Sequence, residues 1–212
     1  MPFIAFEGLD GSGKSSLMNS FEAELHNKNL SVLRTREPGG TPLGDEIRQL
    51  ILRKEGQAPT PRTELLLYEA SRSQHVDMII RPALQKQQWV LCDRFAASSI
   101  AFQAGGREIS ESWVENLNEF ATDGLQPDLT VLLDLSVEES RRRRQRRQAG
   151  NGEHEDRIES EADSFHQRVR QSFLEQARKA PHKWLVLDAG LTPEQLLQQL
   201  KSHIGNLQWL KV

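Results

Sequence analysis

The sequence holds 212 residues with a formal net charge of −3, long enough to bury one substantial core and too nearly neutral to draw nucleic acid through a global basic field. Its single cysteine, Cys92, excludes an internal disulfide and fits a reducing compartment. No apolar run approaches membrane-spanning length and no basic-then-apolar leader opens the sequence, so the expectation is a cytoplasmic protein without a membrane or nucleic-acid partner.

Pro2-Phe3-Ile4-Ala5-Phe6 is an apolar run that reads as a buried strand, and Ser16 through Leu25 reads as a helix. Between them, Gly8-Leu9-Asp10-Gly11-Ser12-Gly13-Lys14-Ser15 fits G-x-x-x-x-G-K-[ST], the spacing of a phosphate-binding loop. The glycines let the backbone curl so that successive N–H groups point at an anion, and the helix start adds its partial positive charge there. Gly8 through Ser16, including Ser12 and Gly13, are therefore the expected ATP-binding residues. Lys14 would reach the β- and γ-phosphates, and the Ser15 hydroxyl would ligate Mg²⁺.

Ser31 to Thr35 reads as a second strand, and Arg36-Glu37-Pro38-Gly39-Gly40-Thr41 as a loop at its carboxyl end. Leu43, Ile47, Leu50 and Ile51 recur at the spacing of an amphipathic helix. Thr60 and Pro61 then suit the N-cap and first position of a long helix, roughly Thr63 to Gln87, bent near Pro82. Trp89 to Asp93 reads as a third buried strand, with Cys92 an inert thiol inside it. Asp93 could hold Mg²⁺ opposite Ser15, or it could cap the helix that follows. Arg94 suits bidentate phosphate binding, or an ion pair with Asp93 or a neighbouring acid.

A polar loop rich in small residues is expected from Ser98 to Gly106, then a helix capped by Ser110. Leu129 to Leu135 is the clearest strand, and Ser136 with Glu139 forms a capping box for the next helix. Phe165, Val169, Phe173, Leu174 and Ala177 mark another helix. Trp184 to Asp188 is the last strand, and Thr192, Pro193 and Gln195 open a final helix.

Strands alternating with helices, each strand a continuous apolar run, predict an α/β fold: a three-layer α/β/α arrangement of the P-loop NTPase type with a five-stranded parallel sheet. Ligands in such sheets bind beyond the carboxyl ends of the strands, which is where Asp10, Arg36, Asp93 and Arg94 fall. The chain shows no internal repeat and no second domain.

The densest charge run is Arg141-Arg142-Arg143-Arg144-Gln145-Arg146-Arg147. Like charges three and four apart on a helix repel by roughly 0.2–0.5 kcal/mol per pair, so the cluster makes more sense facing an anion than as a stabilising device. A solvated basic face would account for several of these arginines. A nucleic-acid patch would need interleaved aromatic residues, which the segment lacks. The acids Glu153, Glu155 and Asp156 are candidate partners for the arginines when nucleotide is absent. Tyr68 and Arg72 stand four apart on the long helix. They suit either a surface contact with each other or a stacking plate and donor fork for a base. From the residues alone, the chemistry is Mg²⁺-nucleotide phosphoryl transfer, with the acceptor open.

Nearly end to end, the sequence resembles the thymidylate kinases. The resemblance rests on Phe6-Glu7-Gly8-Leu9-Asp10-Gly11, Arg36 to Thr41, Leu65 to Arg72, Asp93-Arg94-Phe95, Ser98 to Gln103 with Gly105-Gly106-Arg107, Pro127-Asp128 and Asp156-Arg157-Ile158-Glu159. It implies transfer of the γ-phosphoryl of ATP to dTMP with Mg²⁺, giving dTDP for dTTP synthesis, by a homodimer. It further implies that Asp10 meets the sugar 3′-OH side of the acceptor and that Arg94 and Arg48 hold its phosphate. Arg72 would donate to thymine O4, with Ser98, Ser99 and Gln103 around base and sugar, Pro38 lining the base pocket, and the Glu37–Pro38 bond cis. Residues 1–212 would form a single P-loop kinase domain whose mobile lid, about 141–160, holds Arg143, Arg147 and Arg157, with Lys14, Arg94, Arg143 and Arg147 the catalytic set. Two positions depart from the family's usual residues: Tyr68 stands where Phe is common, and Phe102 where Tyr is common. The competing readings are another nucleoside monophosphate or a nucleoside as acceptor, a nucleotide-switched binding protein, and an inactive nucleotide-binding scaffold. The second would need a partner surface or a guanine-reading Asn-Lys-x-Asp, the latter missing, and the third sits poorly with Lys14, Ser15, Asp93 and the arginine segment all present.

Overall fold

A computed structural model of the protein describes residues 1–151, 155–207 and 209. Five strands, β1 (Phe3–Glu7), β2 (Val32–Arg36), β3 (Trp89–Asp93), β4 (Leu129–Asp134) and β5 (Trp184–Asp188), form a sheet in the order β2-β3-β1-β4-β5. Every pairing is parallel, with Phe6 level with Asp93 on one side of β1 and with Val131 on the other. All five carboxyl ends therefore open on one edge.

The period-two alternation of each strand decides which helices cover it. Ile4 and Phe6 face the layer built by α1 (Lys14–Asn27) and α9 (Pro193–Asn206), where Leu17, Met18, Phe21, Leu196, Leu200 and Ile204 are buried. Phe3 and Ala5 face the other way, onto Val76, Ile80, Ala83, Cys92 and Phe95. Each large apolar side chain so buried is worth about 1.5–3 kcal/mol, and these two layers set the sheet between them. Cys92 is fully buried, as its strand position implied.

β1 leaves the sheet through Gly8, whose φ of +133° places its α-carbon so close to β4 that a Cβ would lie 2.4 Å from the Leu133 carbonyl oxygen. Only glycine permits that approach. The chain then enters the phosphate loop and α1.

Other elements follow expectation less closely. In α2 (Pro42–Leu52), Ile47 and Ile51 are buried but Leu43 and Leu50 are exposed, so the apolar stripe is narrower than its spacing implied. The long helix is not continuous. It runs as α3 (Pro61–His75), a π-helical segment (Val76–Ile80) and α4 (Arg81–Gln85). Pro82 lacks an N–H and crowds the turn before it, and the widened turn precedes it.

The expected loop at 98–106 is helical instead: α5 (Ala96–Ser99) continues into a second π-helical segment, Ile100–Gly106. Its small residues are there for packing. A Cβ on Gly106 would lie 2.5 Å from the Phe165 ring, and one on Gly105 would lie 2.8 Å from Ser172, both residues of α8 (Asp163–Lys179). Ser110 stands at the start of α6 (Glu111–Thr122), but its hydroxyl meets Ser112 and makes no cap bond. At the start of α7 (Val137–Asn151) only half of the expected box forms. The Glu139 N–H donates to Ser136 Oγ, while the Glu139 carboxylate turns to Arg142 and Arg143. The box at Thr192 and Gln195 is complete.

Candidate active site at the carboxyl ends of the strands

Lys14 begins α1 and is buried, its ammonium folded back to donate to the carbonyls of Gly8 (3.1 Å) and Leu9 (3.3 Å). Burial, and then Arg94, push its pKa down; Asp93, Asp10 and Glu7 pull it up. Ser15 Oγ lies 3.5 Å from Asp93 Oδ2, so two hard oxygen donors face one another beside the lysine. That pairing suits Mg²⁺, which prefers carboxylate and hydroxyl oxygen and keeps much of its water. Asp93 caps no helix, since α5 begins at Ala96 with Phe95 at its N-cap.

A cavity of about 440 Å³ opens here, lined by Asp10, Gly11, Gly13, Lys14, Ser15 and Ser16 from below. Gly8, Leu9 and Ser12 stand behind it: the Leu9 side chain packs with Phe102 and Ile158, and Ser12 is buried.

Arg94 follows β3 with φ +69°, its N–H donating to the Phe6 carbonyl at 2.9 Å. The guanidinium donates to Asp10 at 2.8 Å and lies 3.9 Å from Glu7 and 4.9 Å from the centre of the Phe102 ring. Its ion pair is thus with Asp10, not Asp93. Burial would lower Arg94 and raise Asp10, but their mutual attraction, helped by Glu7 and Lys14, outweighs both effects and holds each charged.

Glu7 fixes this turn. One carboxylate oxygen accepts the Phe95 N–H at 2.9 Å and the other the Ser98 hydroxyl at 2.7 Å. Burial pushes its pKa up to about 7, against the pull of Arg94, Ser98 and Lys14.

Arg94, Asp10, Glu37 and Arg48 also line a second, narrower cavity of about 70 Å³. Pro38, Tyr68, Ser98, Phe102 and Gln103 complete its walls, with Leu52, Asp156 and Ile158. The Glu37–Pro38 bond is cis, as expected. Arg48 donates to the Pro38 carbonyl at 3.0 Å, and Gln103 donates to Glu64 at 3.0 Å. Tyr68 is half-buried, and burial raises its phenol pKa.

Arg72 is buried behind this wall, so no surface contact with Tyr68 exists. Its Nε donates to Glu37 (2.8 Å), and its Nη1 donates to Glu69 (2.7 Å), Ser99 (2.8 Å) and Asn118 (2.6 Å). Ser99 stands behind the cavity with it, bridging Arg72 and Glu69.

The arginine helix α7 lies against the phosphate loop. Ser140 Oγ donates to the Asp10 carbonyl at 2.7 Å, and Arg143 donates to the Gly11 carbonyl at 3.3 Å. Arg143 and Arg147 both line the phosphate cavity, opposite Lys14. Among the described residues, arginines of the run meet acidic partners: Arg141 with Asp163, Arg142 and Arg143 with Glu139, Arg144 with Glu155, and Arg147 with Glu159. The repulsion expected within the run is therefore offset internally. Of the acids expected there, Glu155 pairs with an arginine. Asp156 instead accepts the N–H groups of Ile158 and Glu159, and Glu153 lies outside the described residues. Arg157 is held by Glu64 (2.6 Å) and the Ile51 carbonyl (2.8 Å), and lines neither cavity.

Sequence reasoning missed Glu7, Ser140, Glu64, Asn118 and His75, whose Nδ1 lies 3.0 Å from Glu37 Oε1 and whose Nε2 lies 2.7 Å from the Thr35 hydroxyl. Glu7 alone carried a local signal, a charge closing an apolar strand. A larger open groove of about 1000 Å³ runs among Glu138, Ser164, Gln167, Arg168 and Gln171, but no phosphate-loop residue lines it. Among the described residues, no helix is long and apolar enough to cross a membrane.

Comparison with known proteins agrees with the geometry. The family model described as thymidylate kinase matches residues 6–200. The thymidylate kinase of Bdellovibrio bacteriovorus is 73% identical over 200 residues, covering 94% of each chain. That of Trichlorobacter lovleyi is 43% identical, covering 95% of this chain and 96% of its own, and that of Cereibacter sphaeroides 45% identical, covering 92% and 89%.

Proposed function

The chain belongs to the thymidylate kinase family, and from that premise we propose that it transfers the γ-phosphoryl group of ATP to dTMP, giving ADP and dTDP for dTTP synthesis. One observation carries the assignment to this cleft. The cavity above the phosphate loop and the narrower cavity beside it share Asp10, Glu37, Arg48 and Arg94, so two phosphorylated ligands would meet at the Arg48 and Arg94 guanidiniums.

A phosphate oxygen of dTMP attacks the γ-phosphorus in line, and the bond to the β-bridging oxygen breaks to release ADP. The nucleophile is already ionised at neutral pH and needs no general base. Positioning and charge neutralisation supply the rate. Lys14 exchanges the Gly8 and Leu9 carbonyls for the donor's phosphates, cradled by Gly8 to Ser16. Arg94 and Arg48 hold the acceptor phosphate, and Asp10 takes the sugar's 3′-OH side. Arg143 and Arg147 exchange their acidic partners for the transferring group.

Ser15 and Asp93 are the residues fitted to hold Mg²⁺, which when bound neutralises charge on the donor's β- and γ-oxygens. Tyr68 stacks on the thymine and Pro38 lines the base pocket. Ser98, Phe102 and Gln103 enclose base and sugar, Ser99 supports them from behind, and Arg72 donates to O4. The whole chain acts as one kinase domain in the cytoplasm, residues about 141–160 serving as its lid. Exposed Leu66 on α3 with Trp113 and Phe120 on α6 support a homodimer joined through those helices.

The test is turnover against dTMP, dUMP, dGMP, AMP and thymidine at fixed Mg-ATP. The largest kcat/KM is expected for dTMP; faster turnover of any other acceptor would overturn the assignment.

A further inference from the structure

Four successive carbonyls of the phosphate loop each meet a side-chain donor. Lys14 Nζ takes those of Gly8 and Leu9, Ser140 Oγ takes that of Asp10 at 2.7 Å, and Arg143 Nη1 takes that of Gly11 at 3.3 Å. The last two donors come from α7. Lys14 and Arg143 leave for phosphate in the reaction proposed above, whereas Ser140 has no part in it so far.

A serine in mid-helix commonly bonds back to the carbonyl four residues before it. Ser140 instead donates to a carbonyl 130 positions away. Arg144, one turn along α7, accounts for that choice. Its Nη1 donates to the Ser140 hydroxyl oxygen at 2.8 Å, so the hydroxyl proton has to turn away from it, toward Asp10. Both residues are buried, and Arg144 Nε is taken by Glu155 at 3.2 Å. Unlike Arg143 and Arg147, Arg144 does not line the phosphate cavity.

The Asp10 carbonyl and the Gly11 N–H belong to one planar trans peptide, so they point in opposite directions. Holding the carbonyl on α7 turns the Gly11 N–H away from the helix. That N–H meets no acceptor among the described residues, and Gly11, at φ +79°, lines the phosphate cavity. The helix also sits directly on this glycine. A Cβ there would lie 3.1 Å from Arg143 Cβ and 3.3 Å from the Ser140 carbonyl oxygen.

We propose that Ser140, aimed by Arg144, is a positioning residue for the phosphoryl donor: it sets the Asp10–Gly11 peptide so that the Gly11 N–H is offered to the donor's phosphates. This rests on the reading that the loop holds ATP. The arginine run then divides its work. Arg144 acts through Ser140, while Arg143 and Arg147 face the cavity.

The measurement is calorimetry with Mg-ATP in the absence of acceptor, with dTMP binding taken alongside. Ser140→Ala removes the donor, and Arg144→Met removes the group that aims it. Each should raise Kd for Mg-ATP about tenfold, the scale of one buried hydrogen bond, and leave Kd for dTMP within about twofold. The double variant should bind Mg-ATP no more weakly than Ser140→Ala alone, because Arg144 works through that hydroxyl. In protein labelled with ¹⁵N-glycine, the Gly11 amide resonance should shift when Mg-ADP is added to the parent, and shift much less in Ser140→Ala.

Unchanged Mg-ATP affinity in Ser140→Ala, equal losses for ATP and dTMP, or additive losses in the double variant would overturn the proposal. So would an Arg144→Met defect confined to kcat, which would make Arg144 a third arginine acting on the transferring group. If Arg144→Met does not fold, Ser140→Ala and the Gly11 resonance still decide. A parent that binds no Mg-ATP defeats the reading of the loop and this proposal with it. A parent that binds it, beside a Ser140→Ala variant that binds it equally well, defeats this proposal alone.

Discussion

At the end of β1, Glu7 is a carboxylate buried where water would ordinarily solvate it, with Arg94 no closer than 3.9 Å. Its hydrogen bonds to Phe95 and Ser98 hold the turn that aims Arg94, so the burial serves geometry at the expense of charge solvation. Because its folded pKa is raised to about 7, the folded state binds this proton more tightly than the unfolded chain does. The contribution is full below the unfolded carboxylate range and is lost as pH rises through about 7. Stability of the parent should therefore fall more than that of Glu7→Gln between about pH 5 and pH 8, read as the difference in Tm. Parallel Tm curves would show that Glu7 does not titrate in this window. Residues of the phosphate loop and Asp93 were legible in the sequence because their chemistry lies in local spacing. Glu7, His75 and Glu64 were not, because their partners lie 35 or more positions away and no periodicity reports them.

α7 is the element on which the proposed catalysis and local electrostatics meet. Ser140 and Arg143 dock it on the phosphate loop, while Glu139 and Glu159 hold its cations in readiness. Swapping these acids for the donor's phosphates is the work assigned to the helix. Replacing Arg143 and Arg147 together by Ala should lower kcat by about 10³-fold or more, the range for arginines that act on a transferring phosphoryl group. Near-normal turnover would shift the role to other arginines of the run. Four strands were readable as short apolar runs closed by an acid, whereas β2, with Arg34, Thr35 and Arg36, lies at the sheet edge and carries only two apolar residues. Ser98 to Gly106 misled because alanine, serine and glycine mark both loops and tight helix packing. Only the presence of Phe165 and Ser172 against Gly106 and Gly105 decides between them. The π-helical segment before Pro82 had a cause in the sequence, though its form needed the surrounding core.

At the scale of the whole molecule, β1 lies between β3 and β4, so the phosphate loop leaves the sheet where the strand order reverses. That placement lets β3 supply Asp93 and Arg94 from one side while α7 descends from the other. In the proposed reaction, donor and acceptor would then meet at one edge of the sheet. The direct measurement is a crystal structure with ADP, dTMP and a planar aluminium fluoride in place of the transferring group. Lys14 should have left the Gly8 and Leu9 carbonyls, and Arg94 with at least one of Arg143 and Arg147 should lie within hydrogen-bond distance of the planar group, with thymine between Tyr68 and Pro38. Arginines of α7 directed to solvent, or dTMP bound outside the cleft lined by Asp10, Glu37, Arg48 and Arg94, would contradict the account.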